Sequence, residues 1–147
     1  MSEIQDMYQE LILDHSRSPK NFGGLLEKTH HAHGNNPHCG DSIDLDVAIK
    51  DDWIRDISFH GEGCAIFTAS SSLMTESIKG KTITQALATF NEFHQMLTND
   101  EEKTYDLGKL VVLQGVKQFP IRVKCATLCW HTLNAALKNQ QTRVTTE

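Results

Sequence analysis

Ile57-Ser58-Phe59-His60-Gly61-Glu62-Gly63-Cys64-Ala65-Ile66-Phe67-Thr68-Ala69-Ser70-Ser71-Ser72-Leu73-Met74 runs from an apolar strand, through two glycines flanking one acid, into a helix. The glycines give the backbone turn freedom that other residues lack. Cys64 falls where the helix begins, beside unpaired N–H groups and the positive end of the helix dipole, which together favour a thiolate. Thiolate is the form that binds metal or attacks sulfur. Taken alone, Cys64 suits a small buried hydrophobe equally well.

Upstream, Ile43, Leu45, Val47 and Ile49 alternate against Asp44, Asp46 and Lys50, the period of a half-buried strand. Asp51-Asp52 interrupts the alternation and Ile54–His60 runs back, so the two segments form a β-hairpin. A two-residue loop sets Cys39 opposite Cys64 and Asp41 opposite Glu62; a bulge would move the match by one residue. Asn35-Asn36-Pro37-His38 reads as the loop leading in. Before it, Leu26–Gly34 holds a short strand carrying His30, His31 and His33, which read as solvated polar residues because nothing nearby supplies a second shell for a metal. Ile4, Met7, Tyr8 and Leu11 recur at helical spacing until Asp14–Pro19.

Downstream, Ile66, Ala69, Leu73 and Ser77 make one helical stripe that stops at Lys79-Gly80. Thr82-Ile83-Thr84-Gln85 has capping-box form, and Ile83, Leu87, Phe90 and Leu97 define the helix it opens. Asn99–Tyr105 is a charged link and Leu107–Val116 a short apolar helix, broken by Phe119-Pro120. A last helix runs from Cys125 to Leu137, with Leu128, Thr132 and Ala136 against the sheet. Trp53 and Trp130 read as packing residues, and Gln140–Glu147, without an apolar pattern, as a frayed end.

The chain has 147 residues, 39% of them hydrophobic, which suits one domain over 1–147 with a core of its own. Lys+Arg 14 against Asp+Glu 19 gives a net charge of −5, contrary to the basic face of a nucleic-acid binder. No apolar run matches a membrane span and no basic-then-apolar leader opens the chain, so a cytoplasmic protein is expected. Four cysteines without a secretory signal read as thiols or metal ligands rather than a disulfide frame.

Cys39 and Asp41 are two apart on extended backbone and project to the same side. With Cys64 from the opposite strand and Cys125 from the last helix they would form a three-sulfur, one-oxygen set suited to zinc or to one iron of an Fe–S centre. Spacing alone does not demand this. There is no CxxC pair, and the same residues could be scattered.

Three motifs carry a resemblance. Cys39-Gly40-Asp41, Gly61–Ile66 with Ser70–Met74, and Arg122-Val123-Lys124-Cys125-Ala126-Thr127-Leu128 resemble, in that order and over nearly the whole chain, the U-type iron–sulfur assembly proteins of the IscU and NifU N-terminal family. The SufU branch is the most similar: Glu92–Lys117 looks like its insertion before the third cysteine, and Lys124 stands where the IscU branch has histidine. Gln118-Phe119-Pro120-Ile121 replaces the proline-rich chaperone motif of that other branch.

The resemblance implies an α+β fold of the SufE/NifU-like kind, a small three-stranded antiparallel sheet packed against several helices. It implies zinc, or alternatively iron or a [2Fe–2S] cluster, held by Cys39, Asp41, Cys64 and Cys125. It also implies a pyridoxal-phosphate cysteine desulfurase of the SufS type as partner and a downstream Fe–S scaffold or apo-protein as recipient. Zinc keeps cysteine deprotonated, and one carboxylate in the ligand set makes such a site exchangeable. Cys39, after Pro37, is expected to accept the sulfur, and Lys124 to stabilise a thiolate at Cys125 or meet an acidic partner.

The activity so implied is that of a zinc-dependent sulfur carrier working with the desulfurase more than that of an independent enzyme. A scaffold on which a [2Fe–2S] cluster is built uses the same ligands. A structural zinc module for protein binding would favour cysteine and histidine over Asp41, and a cysteine hydrolase would need a base that no His/Asn motif supplies to Cys64. Cys129, one turn past Cys125, reads as buried filler ahead of a metal partner for Cys125 or His131.

Overall fold

The computed structural model describes residues 3–99, 103–138 and 144–145. Strands β1 (His30–Asn36), β2 (Asp41–Lys50) and β3 (Trp53–Glu62) form the antiparallel meander. Helix α1 (Glu3–Arg17) precedes them; α2 (Ala65–Ile78), α3 (Ile83–Thr98), a 3₁₀ helix (Gly108–Gln118) and α4 (Pro120–Leu137) follow. A two-residue strand, β4 (Val144–Thr145), joins the edge of β1 in parallel, so the order is β3-β2-β1-β4. The expected fray thus fails at Val144-Thr145, where an open strand edge offers unpaired backbone groups. The rest of Gln140–Glu147, the side chains of Ile4 and Met7, and positions 100–102 of the charged link lie outside the described residues.

Asp51 and Asp52 both take positive φ, 54° and 66°, the primed turn that matches the twist of a two-residue hairpin. Pairing starts with Lys50 facing Trp53, then slips by one residue between Ala48 and Ile49. Ser42 therefore faces Glu62, and Asp41 falls beside Gly63. The bulge decides what surrounds the carboxylate. A Cβ at Gly63 would overlap Asp41 Oδ1 and the Phe67 ring, so the Asp41 side chain occupies the space that a larger residue would take.

The inner face of the sheet carries Ala32, Gly34 and Asn36 from β1, Ile43, Leu45 and Val47 from β2, and Ile57 and Phe59 from β3, all buried. Against it lies α4, with Leu128, Thr132 and Ala136 buried as expected. At Gly34 an added Cβ would strike Thr132 Oγ1 and press on Leu128, so glycine permits the close approach of helix and strand. The helix is buried on most sides rather than along one stripe, since Cys125–Trp130, Leu133 and Ala135 are also covered. Helices of that kind are central ones.

Several boundaries differ from expectation: β1 takes in Asn35 and Asn36, which read as loop, because both pair with β2, and the apolar segment after Leu107 is a 3₁₀ helix that ends at Gln118. The last helix begins at Pro120, five residues before Cys125, because proline's fixed φ and missing N–H cost little at the first helical position. Arg122 and Lys124 are thereby helical. Helix α1 runs on to Arg17, where buried His15 meets Ser72 Oγ at 2.6 Å. Burial lowers the His15 pKa from its usual value, with Glu76 acting the other way.

The serine run lets α2 approach its neighbours while leaving each hydroxyl a partner. Ser70 donates to Ala126 O at 2.6 Å, Ser71 to Phe67 O at 2.9 Å, and Ser72 accepts from Lys20 N–H at 2.8 Å. The Thr82–Gln85 capping box is present. The tryptophans part company: Trp130 is buried and stacked on Phe93 at 4.8 Å between centroids, whereas Trp53 is 43% exposed near the hairpin turn.

Candidate metal centre

The turn Pro37–Gly40 joins β1 to β2. Cys39 N–H donates to Asn36 O at 3.3 Å, and Gly40 takes φ +70°, a left-handed conformation that favours glycine. Across this turn α4 presents Cys125, whose Sγ lies 3.0 Å from Cys39 Sγ although 86 positions separate them. Cys39 Sγ, Cys125 Sγ and an Asp41 carboxylate oxygen all lie within 4.8 Å of one another, the one such group of His, Cys, Asp or Glu ligands among the described residues. Asp41 and Cys125 are buried; Cys39 is half-buried.

Thiols are weak donors and a carboxylate only accepts, so packing them together away from water is unfavourable unless protons or a cation intervene. The effect is visible at Cys125: burial first, then Cys39, Asp41 and Cys64, push its thiol far above the usual range. The donors suit a borderline-soft ion. Tetrahedral bonds of about 2.0 Å to oxygen and 2.3 Å to sulfur place neighbouring ligands roughly 3.5 Å (oxygen to sulfur) to 3.8 Å (sulfur to sulfur) apart, so Cys39 Sγ and Cys125 Sγ, 3.0 Å from one another, must separate to take an ion between them.

Cys64 enters through its backbone. Its N–H donates to Asp41 Oδ1 at 2.9 Å, while its Sγ caps α2 by accepting from Phe67 N–H at 3.5 Å. The Sγ therefore lies outside the group of three, yet near enough to Cys125 to raise that thiol's pKa. Asn36, at the end of β1, donates through Nδ2 to Asp41 Oδ2 at 3.5 Å and to Cys125 Sγ at 3.8 Å.

The exposed guanidinium of Arg122 faces the same thiols. Cys64 most, and then Cys125, raise its pKa. Lys124 is half-exposed two positions on. Neither Asn36 nor Arg122 is singled out by spacing alone. Arg122 stands three positions before Cys125, a neighbourly spacing only in a helix, and the helix reaches it because Pro120 starts the turn. Asn36 looks like any turn residue until the pairing of Asn36 with Asp41 across β1 and β2 is known.

The other candidates stay outside. Cys129 is buried filler as expected: its Sγ meets Ser70 Oγ at 3.5 Å, and burial pushes its thiol up to about 11. His38 is exposed on the turn. On the outer face of the sheet, His31 Nδ1 pairs with Asp46 at 2.7 Å and His33 Nδ1 with Asp44 at 3.0 Å. Burial would raise the Asp46 pKa, but hydrogen bonds from His31 and Leu25 N–H, with Lys28 nearby, bring it below the usual carboxylate value. An apolar groove of about 650 Å³ adjoins the centre, bordered by Tyr8, Ile12, Ile66, Val116, Phe119 and Arg122. Among the described residues no helix is long and apolar enough to cross a membrane.

Comparison with known proteins shows the family of the chain. The family described as NifU-like N terminal domain matches residues 7–146. The chain is 40% identical over 141 residues to the zinc-dependent sulfurtransferase SufU of Bacillus subtilis strain 168, with 95% of each chain covered. It is 41% identical over 139 residues to the iron–sulfur cluster assembly scaffold protein IscU of Streptococcus pyogenes serotype M1, covering 94% of this chain and 87% of that one. The crystal structure of FiSufU from Fervidobacterium islandicum AW-1 superposes with a TM-score of 0.83 at 37% identity, covering 90% of this chain and 98% of the other.

Proposed function

Since the chain belongs to the NifU-like N-terminal domain family, we propose that it accepts persulfide sulfur from a cysteine desulfurase at a zinc centre of Cys39, Asp41, Cys64 and Cys125, and passes it on. The observation that carries this reading is the convergence of Cys39, Asp41 and Cys125 within 4.8 Å. Cys64 completes the set by giving up its cap on α2. Zinc, when bound, holds these thiols deprotonated at neutral pH.

Cys39 is the sulfur acceptor in this reading, because it is half-buried beside exposed His38 and Gly40 while Cys125 is covered. Its thiolate attacks the outer sulfur of the desulfurase persulfide. The S–S bond breaks, its electron pair leaves on the desulfurase cysteine, and Cys39 carries the new persulfide. Arg122 offsets negative charge at Cys64 and Cys125, with Lys124 as a further cation on the same helix, and the groove beside Arg122 gives the desulfurase an apolar surface to dock on. A SufS-type enzyme is the proposed donor, and a downstream Fe–S scaffold or apo-protein the recipient.

The 41% identity to an IscU scaffold supports a second reading, in which the same ligands hold a [2Fe–2S] cluster as cargo during its assembly. Anaerobic incubation with desulfurase and cysteine, followed by mass spectrometry of the peptides, tests the first. Added sulfur on Cys39 with stoichiometric zinc is the expected result; sulfur only on other residues overturns the acceptor. A coloured species that moves to an apo-acceptor would favour the scaffold.

A further inference from the structure

Resting on the metal-site reading above, we infer that Asn36 is a positioning residue which holds Asp41 and Cys125 in the arrangement that grips the ion. Asn36 is wholly buried at the end of β1 and faces Asp41 across the strand pair. Its side-chain N–H₂ reaches both Asp41 Oδ2 and Cys125 Sγ, and its main-chain carbonyl, which any residue at this position would offer, takes the Cys39 N–H. One residue thus touches three members of the centre. Because Cys64 N–H donates to Asp41 Oδ1, the carboxylate has a donor facing each of its oxygens.

A second observation separates this role from packing. Asn36 Oδ1 is buried without a hydrogen-bond partner. An apolar side chain would fill the inner face of β1 without stranding an acceptor, so a residue kept only for packing has no reason to be an amide. The N–H₂ supplies the reason: it is a donor that brings no charge. A lysine or arginine at position 36 would put a fixed cation where the ion belongs, and an aspartate would add a rival carboxylate.

Zinc affinity measured anaerobically by chelator competition, together with the visible spectrum of the cobalt(II) form, tests the assignment in Asn36→Ala, Asn36→Ser, Asp41→Ala and the unaltered protein. Asn36→Ala is expected to weaken zinc 10- to 100-fold, the usual range for groups that orient ligands, and to alter the cobalt spectrum. Asn36→Ser, which keeps a donor, should recover part of the loss; if Asn36→Ala does not fold, the spectrum of Asn36→Ser against the unaltered protein decides. Affinity within threefold and an unchanged cobalt spectrum overturn the inference, as does a fall in thermal stability of the metal-free protein with no change in either. Asp41→Ala separates the two levels. If it binds zinc as tightly as the unaltered protein, the metal-site reading itself fails; if it loses zinc while Asn36→Ala does not, only the role of Asn36 fails.

Discussion

The two faces of the β1–β2 pair use similar residue types to opposite ends. On the outer face each carboxylate meets a histidine across the strand pair, Asp46 with His31 and Asp44 with His33, so donor opposes acceptor and the network is complete. At the inner end, Cys39, Asp41 and Cys125 face one another, and the donors in reach are the Asn36 amide, the Cys64 N–H and, from the exposed side, the Arg122 guanidinium. In the proposed reading a cation completes this cluster. Whether a group of polar side chains closes on itself therefore says more about metal binding than the number of potential ligands in it.

Removing a ligand from the inner cluster should break this contrast most sharply. Asp41→Ala or Cys125→Ser is expected to cost at least a hundredfold in zinc affinity, about 2.8 kcal/mol or more, by chelator competition. Gly63→Ala comes next, since its methyl group would press on Asp41 and Phe67. Overpacking of this kind destabilises by about 1–3 kcal/mol in chemical denaturation, and zinc affinity should fall with it.

Acid separates the faces more gently. Asp46 has a depressed pKa, so its contribution to stability is present above the ordinary carboxylate value and is lost as pH falls through the lower folded-state value. Asp46→Asn should flatten the acid limb of the stability–pH curve of the metal-free protein. Zinc affinity, by contrast, should weaken already as pH drops from 8 to about 6, where protons compete for the thiolates. The smallest effect is expected for His33→Ala: below about 1 kcal/mol, as for partly exposed pairs, with zinc content unchanged by elemental analysis. Loss of zinc in that variant would erase the distinction between the faces.

Cys125 and Cys129 show how far local pattern reaches. They stand one turn apart on α4 and both are buried, yet one joins the centre and the other sits against Ser70. Periodicity is the same for both. Their neighbours are set by where α4 crosses the turn after β1 and the serines of α2, and those contacts bridge 86 and 59 positions.

From its residues alone the chain determined the alternation of β2, the turn at Asp51-Asp52, the Thr82–Gln85 box, the Gly63–Cys64 junction and each of the three cysteine motifs, because each depends on residues within a few positions of one another. Tertiary structure decided the one-residue slip that sets Asp41 beside Gly63, the start of α4 that turns Arg122 toward the thiols, and the burial of Asn36 between Asp41 and Cys125. These depend on the packing of distant segments, which compete for the same space only once the sheet and helices are in place.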